Sequence, residues 1–429
     1  MWATGPTSSV QSGYGFLRMH REEHHEPSVV TLSSWARFVP LSASRNGSLS
    51  GVSAIDLSAH VLNALAARTG IDPAAVDDVI WGCVQQVGEQ SVNVGRNAVL
   101  SAGWPETVPA TTIDRQCGSS QQSVHFAAAG LVAGHYELAI AGGVEMLSRL
   151  PIGANVVPEY GRPFTESLRE RYGVDEFNQG IGAELMADRW KLSRTRLDEF
   201  SLASHEKAAA AIDEGRFTDE IAPFAFPDGT VFDTDEGVRR GTTIEKMATL
   251  KPAFKPDGVI HAGNSSQISD GAAALLLTTS ENAGRLGLIP LARVHTAVVA
   301  GADPVMMLSA PIPATKRALE RSGLDLADIG AFEVNEAFAP VPMAWLAETG
   351  ADEKALNPNG GAIALGHPLG STGARLMTTL VHHMKRNDIR YGLQTDVRRR
   401  RPRQRDDRRA DALTTKPADR ARTREGAHR

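Results

Sequence analysis

Apolar positions first recur at helical spacing over Ile55–Thr69, and Ile71–Pro73 closes that segment before a buried-strand run at Val79–Val84. Gly118–Ala133 is apolar, rich in small residues and almost uncharged, which predicts a helix buried on all sides. A strand at Leu138–Ala141 follows, with Gly142-Gly143 read as its turn. From about Arg149 to Ala262 the pattern changes: charged helical stretches (Gly182–Trp190, Arg194–Glu214) alternate with Pro- and Gly-containing loops, as in an inserted domain. Strand and helix signals then alternate again through Ala272–Thr278, Leu291–Ala300, Ala314–Ser322 and Ile329–Val334, with a final strand at Tyr391–Thr395. Residues 1–44 carry little pattern beyond a His/Glu cluster at His20–Glu26 and a β-like run at Val29–Leu32. Strands interleaved with helices on both sides of an insertion predict α/β architecture in two halves, and the buried helix calls for more layers than a doubly wound sheet provides.

Composition changes this picture little. The chain has 429 residues, 42% hydrophobic and 22% charged, as in ordinary globular enzymes. Its apolar runs are too short to span a bilayer, and residues 1–27 lack the apolar core of a secretory signal, so a cytoplasmic location is expected. Two cysteines, Cys83 and Cys117, exclude a disulfide framework and a CxxC metal site. Charge is less even. Residues 396–429 hold 12 Arg and 1 Lys against 5 Asp and 1 Glu, a net of +7 on a chain of net −5. That tail reads as disordered and solvated; no aromatics interleave its arginines, so no nucleic-acid partner is expected.

Three stretches carry chemistry. Cys117, in Asp114-Arg115-Gln116-Cys117-Gly118-Ser119-Ser120, precedes the buried helix, where unpaired N–H groups and the helix dipole favour a thiolate. Cys83, on a strand, reads as a small buried hydrophobe. The run from Asn359 to Gly373 is dense in glycine and leads into an apolar helix, so its backbone is expected to approach a ligand closely. Within it, His367 is held between Gly366 and Pro368, suited to proton transfer. Asn335-Glu336-Ala337-Phe338 directly follows a strand, where α/β proteins place ligands.

Taken in order, the Cys117 stretch, Ala141–Met146, Gly263-Asn264-Ser265-Ser266 with Asp270–Ala273, the Asn-Glu-Ala-Phe loop and the Gly-His-Pro loop resemble the signatures of the thiolases. The resemblance spans about Arg45–Thr395 and implies a five-layered αβαβα fold of two similar halves. On it, 45–148 and 263–282 form the N-terminal half, 149–262 a loop domain over the coenzyme A site, and 283–395 the C-terminal half. Segments 1–44 and 396–429 stand apart as an atypical segment and the basic tail. The resemblance further implies that Cys117 is the nucleophile, His367 its base, and Asn335 the holder of a water in an oxyanion hole. Ser266, Phe338 and Gly361 fall in the coenzyme A pocket, and Leu250–Phe254 runs along the nucleotide. Acyl-CoA and CoA would be the partners of a homo-oligomer without metal or redox cofactor.

Both ends depart from the family. Thiolases carry a second cysteine in a Cys-x-Gly-Gly-Gly loop after the last strand; here Asp396-Val397 and four arginines stand there. The family's first strand and its Arg-Thr-Pro-x-Gly motif are also missing, and Ser120 replaces a usual glycine. The genetic code lets Ser28–Ser44 be back-translated so that another frame reads Ala-Val-Ile-Val-Gly-Ala-Val-Arg-Thr-Pro-Val-Gly-Lys. Asp396–Asp407, moved by one base, can read Met-Cys-x-Gly-Gly-Gly. The ends therefore read as out-of-frame continuations of an ordinary thiolase. The expected activity is acyl transfer between CoA thioesters, impaired by loss of the second cysteine. The competing readings are a decayed CoA-binding homologue and a ketoacyl synthase-like enzyme, the latter disfavoured by Asn335.

Overall fold

The computed structural model describes residues 45–396 and, before them, the backbone of three short strands: β1 (Phe16–Arg18), β2 (Val30–Ser33) and β3 (Ala43–Ser44). Of the tail expected over 396–429, residues 397–429 lie outside the described residues, as does the cluster at His20–Glu26.

The N-terminal half runs α1 (Ala54–Thr69), β4 (Asp78–Gly82), α2 (Val94–Ser101), β5 (Ala110–Ile113), α3 (Ser119–Val132) and β6 (Leu138–Met146). Helix α1 forms where its apolar spacing predicts. Ser53 caps its start by accepting from Asp56 N, and Gly70 ends it in a left-handed turn at φ 72°. The inserted segment holds α4 (Glu166–Tyr172), α5 (Gln179–Arg189), α6 (Arg194–Asp213), the hairpin β7 (Phe224–Ala225) and β8 (Val231–Phe232), and α7 (Ile244–Ala248). Then come β9 (Ser269–Thr279), α8 (Ser280–Arg285), β10 (Pro290–Thr296), α9 (Pro311–Ser322), β11 (Ala331–Val334), α10 (Pro340–Thr349), α11 (Ala362–Leu365), α12 (Thr372–Arg386) and β12 (Tyr391–Thr395).

Strands pair in the order β11-β12-β1-β10-β2-β9-β6-β4-β5, with β3 also on β9. Helices α1 and α2 cover one face of β9-β6-β4-β5, and α3 covers the other. Helix α12 packs on α3 and turns its far side to β11 and β12, beyond which α9 and α10 close the stack. Helices and sheets thus alternate in five layers, with α3 and α12 in the middle. The twelve buried residues of α12 and eleven of α3 reflect contact on both sides. No helix among the described residues is long and apolar enough to cross a membrane.

Three sequence expectations are corrected. The pair Gly142-Gly143 is no turn, because β6 continues through it to Met146, buried along its whole length. A Cβ on Gly142 would lie 2.3 Å from Ala273 O, and one on Gly143 would lie 2.1 Å from Gly370 O. These glycines admit neighbouring backbone rather than reverse the chain. Order also begins before Arg45, and the missing first strand has a substitute. Strand β2 lies between β10 and β9, and β1 lies between β12 and β10. Ladder pairing uses backbone groups, so a short β-favouring run such as Val29–Leu32 can serve without the family's side chains. Finally Asp396, assigned to the tail, is fully buried in the body.

Ser120 is accommodated by a bond rather than by space. Its Oγ accepts from Ala374 N at 2.9 Å, capping one of the free N–H groups at the start of α12 from the opposite helix. Replacing Ser120 with Ala is expected to cost about 1 kcal/mol, as for a lost helix cap, measurable by urea denaturation.

The layer between α12 and β11 is polar. Arg375 pairs with Asp235 at 3.3 Å, and Thr379 donates to Glu220 at 2.8 Å. Glu333 has no hydrogen-bond partner for either oxygen among the described residues. Burial pushes the Glu220 carboxyl up to about 7 and holds that of Glu333 well above the usual range. Both pKa values are raised on folding, so the folded state binds more protons than the unfolded one. Their contribution is most favourable below the unfolded value and weakens as pH climbs through the folded one. Glu333→Gln is therefore expected to raise the denaturation midpoint at about pH 8 and change it little at about pH 5; an equal shift at both pH values would contradict this.

Candidate active site

Cys117 sits one residue before Gly118, which flanks the start of α3. The preceding turn is fixed locally: Gln116 takes φ 53°, its N–H donates to Asp114 Oδ1 at 2.6 Å, and Ser119 Oγ accepts from Arg115 N at 2.8 Å. The sulfur is enclosed with Val84, Leu147 and Leu369, and Cys117 is 2% exposed. Burial drives its thiol far up, and the charges of Asp396 and Glu145 add to this. Hydrogen bonds from the Gln179 side chain and its own backbone pull the other way without prevailing. The helix terminus alone does not deliver the thiolate expected from sequence. The resting group is a thiol, and reaction requires a base.

His367 is that neighbourhood's imidazole, 4% exposed, on the turn between α11 and α12. Its N–H is anchored on Gln267 O at 3.1 Å. Thr372 Oγ1 donates to Pro368 O at 2.9 Å and lies 2.7 Å from His367 Nδ1. With its only proton committed, that hydroxyl must accept from Nδ1–H, so Nε2 carries the lone pair. Burial lowers the imidazole to about 4, which leaves it neutral at neutral pH.

Asn335 follows β11, its backbone N–H held by Thr395 O at 3.0 Å. Its Nδ2 lies 3.4 Å from His367 Nε2 and donates to Asp396 Oδ1 at 2.7 Å. The carboxylate settles the amide's orientation, since only NH₂ can face it. Asp396 thus joins the site of Cys117, His367 and Asn335.

The three residues expected along coenzyme A divide. Ser266 is half-buried, its N–H on Ala337 O at 3.0 Å. Phe338 packs edge-on against Phe254 at 5.9 Å, which ties the Leu250–Phe254 segment to the Asn335 loop. Gly361 has a packing requirement in this structure: a Cβ there would lie 2.2 Å from the Glu336 carboxyl carbon, and its N–H donates to Ser204 Oγ at 3.1 Å. A cleft between the inserted segment and the body is lined by His205, Arg239, Lys246, Leu250, Gly263 and Gln267. Among the described residues no group of His, Cys, Asp or Glu is placed to hold a metal ion.

Sequence reasoning missed three participants. Gln179 opens α5 across the insertion and carries no local motif. Asp396 was grouped with the arginines that follow it. Glu145 stood inside a recognised motif without a role. It accepts from Val84 N, Gln85 N and Gly370 N, each at 3.0 Å, and from Gln90 Nε2 at 2.8 Å. It thereby fastens the His367 loop to the segment beside Cys117.

The chain matches the families described as Thiolase, N-terminal domain, over residues 36–281, and Thiolase, C-terminal domain, over 288–397. It belongs to the thiolase family of acyltransferases. It is 49% identical over 357 residues to the steroid 3-ketoacyl-CoA thiolase FadA6 of Mycobacterium tuberculosis, covering 82% of this chain and 87% of that one. Identity to the 3-ketoacyl-CoA thiolase FadA of Escherichia coli is 43% over 366 residues, covering 83% and 93%. The crystal structure of the Bacillus anthracis acetyl-CoA acetyltransferase superposes with a TM-score of 0.79 at 35% identity, over 89% of this chain and 96% of that one. The expected thiolase fold is therefore present.

Removing the Glu145 carboxylate leaves four buried donors unpaired, so Glu145→Ala is expected to destabilise the thiolase by about 3–5 kcal/mol or prevent soluble expression. Urea denaturation measures the first and the soluble fraction the second; a loss below about 1 kcal/mol would show the donors re-paired.

Proposed function

We propose that this thiolase transfers acyl groups between coenzyme A thioesters through an acyl-Cys117 intermediate. The observation that carries the reading is a buried thiol whose neighbourhood holds a neutral imidazole with its lone pair on Nε2. In the first step His367 Nε2 takes the thiol proton and Sγ attacks the substrate carbonyl. The imidazolium that results is a donor, and with a water on Asn335 it would stabilise the oxyanion. From a simple acyl-CoA, the carbon–sulfur bond to CoA breaks and the CoA thiolate takes the proton back. From a 3-ketoacyl-CoA, the bond between the α- and β-carbons breaks instead, and the acetyl-CoA carbanion must take a proton, for which the His367 imidazolium is the source left by the first step. His367 then takes the proton of an incoming CoA thiol, whose sulfur attacks acyl-Cys117; the bond to Sγ breaks, the new acyl-CoA leaves and the Cys117 thiolate recovers the proton.

Arg239 and Lys246 give the cleft cationic residues suited to the CoA phosphates. Ser266 and Phe338 do not line that cleft, and their place along the pantetheine arm rests on the family resemblance alone. The α-carbon proton is the weak point. The family's second cysteine is missing from the sequence after β12, and general acid–base groups contribute about 10²–10⁴-fold. Thiolysis and condensation are reduced by at least that factor, while acylation of Cys117 persists.

Incubation with acetyl-CoA, followed by intact-mass and peptide analysis, is expected to show one acetyl group on Cys117. It should be absent in Cys117→Ala and form about 10²-fold or more slowly in His367→Ala. CoA binding without acylation would favour the non-catalytic reading. Acetoacetyl-CoA turnover at the rate of an intact relative would show that the second cysteine's role is filled by another group.

A further inference from the structure

The first residue beyond β12 enters the reaction site. Thr395 O accepts the backbone N–H of Asn335, which brings the end of β12 alongside the Asn335 loop. Asp396, the next residue, is 0% exposed and accepts from Asn335 Nδ2 at 2.7 Å. An asparagine amide has two N–H bonds to offer. Here one is on the Asp396 carboxylate and the other faces His367 Nε2 at 3.4 Å. Both N–H bonds are therefore committed, and a water that would hold a substrate oxygen is left only Asn335 Oδ1, buried and without a hydrogen-bond partner among the described residues.

We infer that Asp396 is a resident anion in the oxyanion site, occupying the Asn335 donor and restraining the Cys117–His367 pair it faces. The inference rests on the acyl-transfer reading for the purpose of that donor. A carboxylate in this place opposes both negative charges the reaction must develop, the thiolate on Sγ and the oxyanion on the substrate. The low local dielectric keeps that repulsion strong. The effect on Cys117 points the same way: after burial, Asp396 is the largest influence disfavouring its thiolate. The residue acts by position, through Asn335 and through its field. It is distinct from the α-carbon base that the missing cysteine would have been.

The test separates the charge of Asp396 from its hydrogen bond. Asp396→Asn keeps the size and an acceptor for Asn335 but removes the charge; Asp396→Ala removes both. Cys117 is alkylated with iodoacetamide across a pH series in the full chain and read by peptide mass, with Cys83 in the same digest as a buried reference. Acetylation by acetyl-CoA and the thermal midpoint are measured alongside. In both variants alkylation is expected to quicken about tenfold or more, its pH profile moving about one unit lower. Acetylation should quicken further in Asp396→Ala, where the donor is released. Unchanged alkylation in a folded Asp396→Asn protein overturns the inference, and so does acyl-CoA turnover that falls in this variant without faster alkylation, the signature of a base. If Asp396→Ala does not fold, Asp396→Asn alone decides. Faster alkylation with no acylation in any variant sustains the inference while sinking the acyl-transfer reading, because iodoacetamide needs no CoA site.

Discussion

One buried carboxylate holds the reaction site together. Glu145 lies on β6 in the N-terminal half, yet Gly370, one of its four donors, is 225 residues away on the loop that carries His367. The other three come from Val84, Gln85 and Gln90, beside the enclosure of Cys117. An apolar side chain here would leave backbone N–H groups buried and unpaired, each a loss comparable to a hydrogen bond or more. Burial pushes the Glu145 carboxyl up to about 7 against the pull of these donors. The fold accepts that cost because a single acceptor fixes two loops that share no other sequence relation.

Close backbone approach makes the rest of the site possible. Gly82, Gly143 and Gly370 crowd one another so tightly that a Cβ on any of them would fall within 2.7 Å of a backbone atom from a neighbouring segment. That crowding lets β4, β6 and the His367 loop converge over the start of α3. The helices of the middle layer are equally close, since a Cβ on Gly373 would lie 2.3 Å from Gln121 N. Ser120 survives in this layer because its hydroxyl finds Ala374 N. Small size and hydrogen-bonding reach, rather than apolar bulk, set the separation of α3 and α12.

The two departing ends meet different fates. Before Arg45, short strands with unrelated sequence still pair within the sheet, because the ladder asks only for extended backbone. After Thr395, a single residue matters more than a strand. Asp396 brings a charge into a buried cluster that includes a thiol and an imidazole, and electrostatic effects there do not average away as they do at the surface. Sheet structure therefore tolerates the altered N-terminus, while the altered C-terminus places a carboxylate beside the groups to which the proposed function assigns the chemistry.

The sequence by itself determined what depends on near neighbours. The apolar spacing of α1, the small-residue run of α3 and the final strand at Tyr391–Thr395 all emerged within a few residues of their predicted places. The motif residues Cys117, Asn335 and His367 were legible because each motif is contiguous. Only the tertiary structure decided their chemical states. The lone pair of His367 on Nε2 follows from a threonine hydroxyl already committed to Pro368 O. The Cys117 thiol follows from burial that no helix terminus offsets. Gly142-Gly143 read as a turn because glycine marks both turns and close contacts, and the contact partners, Ala273 and Gly370, lie more than a hundred residues away. Local periodicity records which element a residue joins. Protonation, tautomer and charge depend on groups brought near only when the chain is folded.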